Sequence, residues 1–109
     1  MSRDDLLAEL RAVEARLRSG EVQAAFQERP AGERRRLVTA RAELSLLVAR
    51  LTTAELESVA AKLDELDKEL RTGIAGVNGR LARIDRPAAA LNVLARLLGV
   101  LARVVVLAG

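Results

Sequence analysis

The sequence predicts an all-α fold, and three observations carry this prediction. Alanine, leucine, glutamate and arginine dominate the chain, and these residues favour helix. Runs of β-branched residues are nearly absent before the C-terminus. Apolar residues recur at spacings of three and four, which is typical of amphipathic helices. We therefore expect one all-helical domain over residues 1–109, a bundle of three to four helices with charged amphipathic helices over 1–85 and a highly apolar C-terminal helix over 86–109.

The first predicted helix begins at Ser2 and stops at Gly20. Acidic residues in its first turn suit the helix dipole, and a glycine after the last periodic residue is a typical stop signal. A single apolar stripe follows this helix, made of Leu6, Leu10, Val13 and Leu17. We expect a short helical segment over Glu21–Glu28 before Pro30 and Gly32 end it.

The second and third predicted helices carry the longest apolar repeats. The second runs from Ala31 to Leu51 with a heptad seam, and the third starts with a capping box of Thr52 and Glu55. We expect these two helices to form an antiparallel hairpin about Leu51–Thr52. The three glycines over Gly73–Gly79 leave two alternatives for the third helix, continuity or a hinge, and the unbroken apolar spacing favours continuity.

The C-terminal stretch is the most apolar part of the chain. Residues 87–109 contain eleven leucines and valines and no acidic residue. A helix over residues 88–107 would place its polar positions on one narrow stripe, made of Asn92, Arg96, Gly99 and Arg103. Three interpretations stay open for this helix: a core helix between the second and third helices, a helix over 88–108 that inserts into or lies on a bilayer, and a docking helix for another protein.

The side chains that usually perform catalysis are missing from the sequence. It has no His, Cys, Trp or Tyr, and Phe26 is its only aromatic residue. We therefore expect no enzyme, no cofactor, no metal site and no small-molecule substrate. Arginines are the candidate contacts for an anion or a lipid headgroup, and nucleic-acid binding is a weaker alternative because stacking aromatics are absent. These candidate contacts are Arg34, Arg35, Arg36, Arg96 and Arg103.

The function predicted from these observations is that of a non-enzymatic assembly or adaptor protein. It would bury aliphatic surface against copies of itself or against another helical protein. The predicted interface consists of Leu44, Leu47, Leu51, Leu63, Leu66, Leu70, Leu94, Leu98, Leu101 and Val105. The alternative is a membrane-active protein. The sequence shows no early signal peptide, so we expect a cytoplasmic or membrane-associated location, and arginine usage suggests a bacterial source.

Overall fold

The structure is a computed structural model that describes the backbone of residues 1–108 and the side chains of residues 1–105. Within these residues the chain is helical throughout, with short connections. The six helices are α1 (Arg3–Leu17), α2 (Gly20–Gln27), α3 (Ala31–Thr53), α4 (Leu56–Glu65), α5 (Asp67–Ala82) and α6 (Pro87–Ala108). The all-α prediction is confirmed. The count of three to four helices is not, because α2 is a helix of its own and the third predicted helix is divided in two.

The helices form an elongated bundle, 44 × 21 × 18 Å. Helix α6 packs against α3 on one side and against α4 and α5 on the other. Helix α1 packs against the same three helices. In cross-section, α3 and the α4–α5 pair therefore occupy opposite corners, with α1 and α6 between them. The short α2 covers the junction of α1 and α3.

This arrangement differs from the predicted hairpin. Helices α3 and α4 are consecutive, but each packs mainly on α1 and α6 rather than on the other. The antiparallel hairpin about Leu51–Thr52 is therefore not confirmed. The physical reason is that α6 is apolar over most of its circumference. It buries more leucine surface by lying between α3 and α4–α5 than by lying outside a closed hairpin.

The connection between α3 and α4 also differs from the prediction. Helix α3 continues to Thr53, and the N-cap of α4 is Glu55, which makes no side-chain capping bond. Thr52 is therefore inside α3, and its hydroxyl donates to the carbonyl oxygen of Val48 at 2.8 Å instead of accepting from an N–H of α4. The predicted capping box of Thr52 and Glu55 is wrong. The hydroxyl of a threonine inside a helix can bond back to the carbonyl four residues earlier, and Thr52 does so because α3 continues beyond it.

Serines define the first two helix starts. Ser2 caps α1 by accepting from the backbone N–H of Asp5 at 3.1 Å, as its position predicted. Ser19 caps α2 by accepting from the N–H of Val22 at 3.3 Å. Gly20 is consequently the first residue of α2, not the stop of α1 as predicted.

The core is aliphatic and continuous. One cluster of buried leucines, valines and Ile74 runs through the bundle and includes Phe26. No polar or charged residue is buried among the residues that the structure describes. The fold is therefore stabilised mainly by aliphatic packing, which contributes roughly 25 cal/mol for each Å² of apolar surface removed from water.

The glycines of the third predicted helix bring α5 and α6 together without a hinge. The helix is interrupted at Leu66, whereas α5 runs unbroken through Gly73, Gly76 and Gly79. A Cβ atom on Gly73 would lie 3.2 Å from Cδ1 of Leu97, and one on Gly76 would lie 3.0 Å from Cγ1 of Val93. A Cβ on Gly79 would meet nothing within 4 Å. Two of the three glycines thus permit a close approach of α5 to α6.

Alanine substitutions at these glycines should have opposite effects on stability. Gly79→Ala is expected to raise the free energy of unfolding by about 0.5–1 kcal/mol, because alanine favours helix and its methyl group would be in open space. Gly73→Ala is expected to lower it by about 1–2 kcal/mol, because the buried Leu97 would have to shift. Urea unfolding followed by circular dichroism measures both. Equal stabilisation by the two substitutions would contradict the close approach.

Candidate interaction surface

Three large apolar side chains are exposed among the residues that the structure describes. They are Val38, Leu46 and Leu56, with 61%, 51% and 58% of their surface in contact with solvent. Two lie on α3 and one lies on α4. A single exposed leucine is ordinary on a protein surface, so the significance of these three depends on what surrounds them.

Helix α3 is apolar on two opposite sides. Its core side carries buried Leu37, Leu44 and Leu51. Its solvent side carries a second apolar stripe at spacings of four, four and three, and all of its members are exposed. Such spacing places them on one side of a helix. We define the α3 outer face by these residues: Val38, Ala42, Leu46 and Ala49.

Basic residues dominate the surroundings of this face. Helix α3 contains five arginines and two glutamates. Glu33 accepts two hydrogen bonds from Arg29, the shorter at 2.6 Å, and this pairing lowers the pKa of the Glu33 carboxyl. The negative charge of Glu33 is therefore paired with Arg29, which precedes α3, and not with an arginine of α3. Arg34 and Arg35 are exposed and make no ion pair to a described residue.

The three consecutive arginines are distributed over different sides of α3. Arg34 lines an open groove with α2, and Arg36 donates a hydrogen bond to Oδ1 of Asn92 on α6 at 3.1 Å. Arg35 lies between them and borders a second open groove, between α3 and α6, of about 650 Å³. The three predicted anion contacts therefore spread over a surface of α3 instead of converging on one point.

The groove between α2 and α3 combines apolar and basic groups. It has a volume of about 550 Å³ and is lined by Phe26, Leu37 and Val38 together with Arg34 and Arg41. Arg41 is half-buried, and its Nε atom has no hydrogen-bond partner. Burial and the neighbouring charge of Arg18 lower the pKa of the Arg41 guanidinium. A negative charge brought into this groove would therefore be favourable.

The acid of α1 that contacts α3 is already engaged. Glu14 accepts a hydrogen bond from the hydroxyl of Ser45 at 2.8 Å, and it lies 3.6 Å from the guanidinium of Arg18. Arg41 therefore gains no direct neutralisation from α1. The flank of the α3 outer face that adjoins α2 has an excess of positive charge within the described residues.

Helix α4 presents the opposite combination. Its solvent side carries one large apolar residue, two alanines and two acids, all exposed. Lys62, the only basic residue of α4, pairs with Glu65 at 3.0 Å. The two acids on the solvent side, Glu57 and Asp64, therefore have no basic partner within α4. We define the α4 outer face by Leu56, Glu57, Ala60, Ala61 and Asp64.

The interface leucines predicted from the sequence all lie inside the bundle. The most exposed is Leu66, at 7%. They stabilise the fold of one chain, so a contact between chains must use other residues unless the bundle opens. The buried positions are Leu44, Leu47, Leu51, Leu63, Leu66, Leu70, Leu94, Leu98, Leu101 and Val105.

The polar stripe of α6 faces outward from the core. Arg96 is exposed and borders a groove with Lys68 and Glu69, and Arg103 lies 3.6 Å from the carboxylate of Glu69. This arrangement agrees with the core-helix interpretation of the C-terminal stretch. The two predicted headgroup contacts on α6 thus lie beside an acidic residue of α5.

Sequence reasoning missed the two outer faces, although their signal was present. The interface predicted from the sequence contains none of the three exposed side chains, Val38, Leu46 and Leu56. The pattern that could have identified the α3 outer face is the second set of apolar positions, opposite the heptad seam.

The residues described do not include a group of three or more acids that could hold a metal ion. Comparisons with protein-family models, with curated proteins and with solved structures find no match to this chain. The outer faces of α3 and α4 are therefore the features of this chain that point to a function.

Proposed function

We propose that this protein is a non-enzymatic assembly or adaptor protein that acts through helix–helix packing at its surface. The observation that carries the proposal is the location of the exposed apolar side chains. Val38, Leu46 and Leu56 all lie on the outer faces of α3 and α4; arginines outnumber acids on α3, and acids lie on the outer face of α4. Apolar residues surrounded by charged ones are typical of surfaces that bind other proteins.

The partner class follows from the shape of these faces. Each is one side of a helix with small alanines between larger residues, which suits the approach of another helix. The partner would be a second copy of this chain or another helical protein. The aliphatic core is already buried within one chain, and the partner would contact only the surface. Folding of the single chain would therefore precede association.

The molar mass of the full-length protein tests this proposal. We expect the mass measured by light scattering without detergent to rise above 11.8 kDa between about 10 μM and about 1 mM. Leu46→Ala should reduce that rise without changing the melting temperature, because Leu46 lies outside the core. A mass of 11.8 kDa over the whole range would overturn self-association.

A second candidate function is membrane attachment through α6. The segment Pro87–Val105 has a mean hydropathy of 1.8 and is long enough to cross a bilayer. The core helix of a soluble protein passes the same test, and 44% of the residues in the apolar window are buried inside the bundle. Membrane attachment would require α6 to leave α3, α4 and α5, so we place it second.

A further inference from the structure

We propose that the α3 outer face of one molecule binds the α4 outer face of a second copy, so that the protein assembles head to tail. This inference depends on the proposed self-association and specifies its geometry. The two faces contain all of the large exposed apolar side chains within the described part of the chain. Pairing them would remove Val38 and Leu46 of one copy and Leu56 of the next from water together.

The charges around the two faces are complementary. Arg34, Arg35 and Arg41 surround the α3 outer face without an acidic partner among the described residues. Glu57 and Asp64 stand on the α4 outer face, where Lys62 is already paired with Glu65. A second copy would thus bring carboxylates to the arginines that lack them. Such complementarity orients partners and raises association rates.

The same charges disfavour the two symmetric alternatives. A two-fold dimer packs one surface patch against the same patch of its partner. A two-fold contact through α3 would place a helix with five arginines and two glutamates against itself. A two-fold contact through α4 would bring the acids Glu57 and Asp64 of one copy close to those of the other. The unlike pairing of α3 with α4 instead places a helix with an excess of arginine against an acidic face.

The position of the two helices in the bundle determines the kind of assembly. Helices α3 and α4 occupy opposite corners, separated by α1 and α6, so their outer faces point away from each other. One molecule cannot pair its own two faces. Each molecule can instead bind one neighbour through α3 and another through α4, which produces an open chain of copies unless rotation closes a ring.

The contact should be weak and sensitive to salt. A helix side of this length covers less than the roughly 800 Å² per partner that is usual for stable complexes. Raising the salt concentration from about 50 mM to about 500 mM should lower the measured mass, because exposed charges are screened over a few ångströms at high ionic strength. Association should therefore depend on protein concentration and on salt together.

Two blocked variants and their mixture test the proposal. Leu46→Glu blocks the α3 outer face by adding an acid that repels Glu57 and Asp64. Leu56→Lys blocks the α4 outer face by adding a base that repels the arginines of α3. Both positions are more than half exposed, so both variants should keep the circular dichroism spectrum and melting temperature of the parent. Ala12→Glu and Ala12→Lys make the same charged side chains at an exposed site on α1 and are the matched controls.

We expect each blocked variant alone to have a molar mass of 11.8 kDa, and their equimolar mixture to rise to at least twice that value. The mixture retains one free α3 face and one free α4 face, which can pair once. Both Ala12 controls should associate as the parent does. Association of Leu56→Lys alone would reveal a symmetric α3 contact, and association of Leu46→Glu alone a symmetric α4 contact. Association of each variant alone would reveal an interface elsewhere, and a monomeric mixture would show that the free α3 and α4 faces do not bind each other. Each of these results would overturn the head-to-tail proposal without contradicting self-association of the parent. A parent protein that stays monomeric would overturn self-association itself.

Discussion

Leu97→Ala is expected to lower the free energy of unfolding by about 3–5 kcal/mol, which corresponds to a fall in melting temperature of roughly 15–25 °C for a domain of this size. Leu97 is completely buried, and its side chain lies against Gly73 of α5. Truncation would leave a cavity at the closest approach of two helices, where the backbone can collapse only slightly. Since small domains have a total stability of about 5–15 kcal/mol, this single change would remove a large part of it.

Leu46→Ala is the matched control because it removes the same atoms from a side chain that is half exposed. Its expected effect on the free energy of unfolding is within about 0.5 kcal/mol.

Adding Gly73→Ala to Leu97→Ala should restore part of the lost stability, because the alanine methyl group would occupy part of the cavity. The parent, Gly73→Ala, Leu97→Ala and the double variant form a double-mutant cycle, and thermal and urea unfolding measure the stability of each. A cycle without coupling would show that the contact between Gly73 and Leu97 does not limit the packing of α5 on α6.

Local features of the fold could be predicted from the sequence where one interaction decides them. The spacing of the leucines identified the buried stripes, because a helix must bury its apolar side. The polar stripe of α6 identified the side that faces away from the core. The apolar spacing favoured a continuous helix through the three glycines, and α5 does run unbroken through them, with close approach to α6 at Gly73 and Gly76.

Features that depend on distant parts of the chain could not be predicted in this way. The place of α4 relative to α3 is decided by α6, whose apolar circumference separates them. The break at Leu66 has no glycine or proline to mark it. Periodicity places Val38 and Leu46 opposite the buried leucines of α3, but whether this second stripe stays exposed depends on where the other helices lie. The candidate surface was missed for this reason.

A chain that ends at Asp85 is expected to lose the cooperative fold. Helices α3, α4 and α5 share α6 as a packing partner, and α3 makes its main contacts with α1 and α6. Without α6, the leucines that face it would be exposed to water, and the remaining helices would not have enough buried surface to offset their chain entropy. We expect reduced helicity, a broad thermal transition and aggregation, measured by circular dichroism and light scattering.

Two point variants of the full chain separate burial in protein from burial in lipid. Leu98→Asp places a carboxylate at a site that is 3% exposed and should unfold the protein as severely as the truncation does. Arg96→Gln changes an exposed residue of the same helix, and an assembly protein should tolerate it.

If α6 instead inserted into a membrane, residues 1–85 would remain soluble with a sharp thermal transition. The full chain would then need detergent or liposomes to stay dispersed, and Arg96→Gln would weaken its binding to anionic vesicles. The packing of α6 against three helices favours the first set of results, because a helix with its leucines inside a bundle gains little by moving them into lipid.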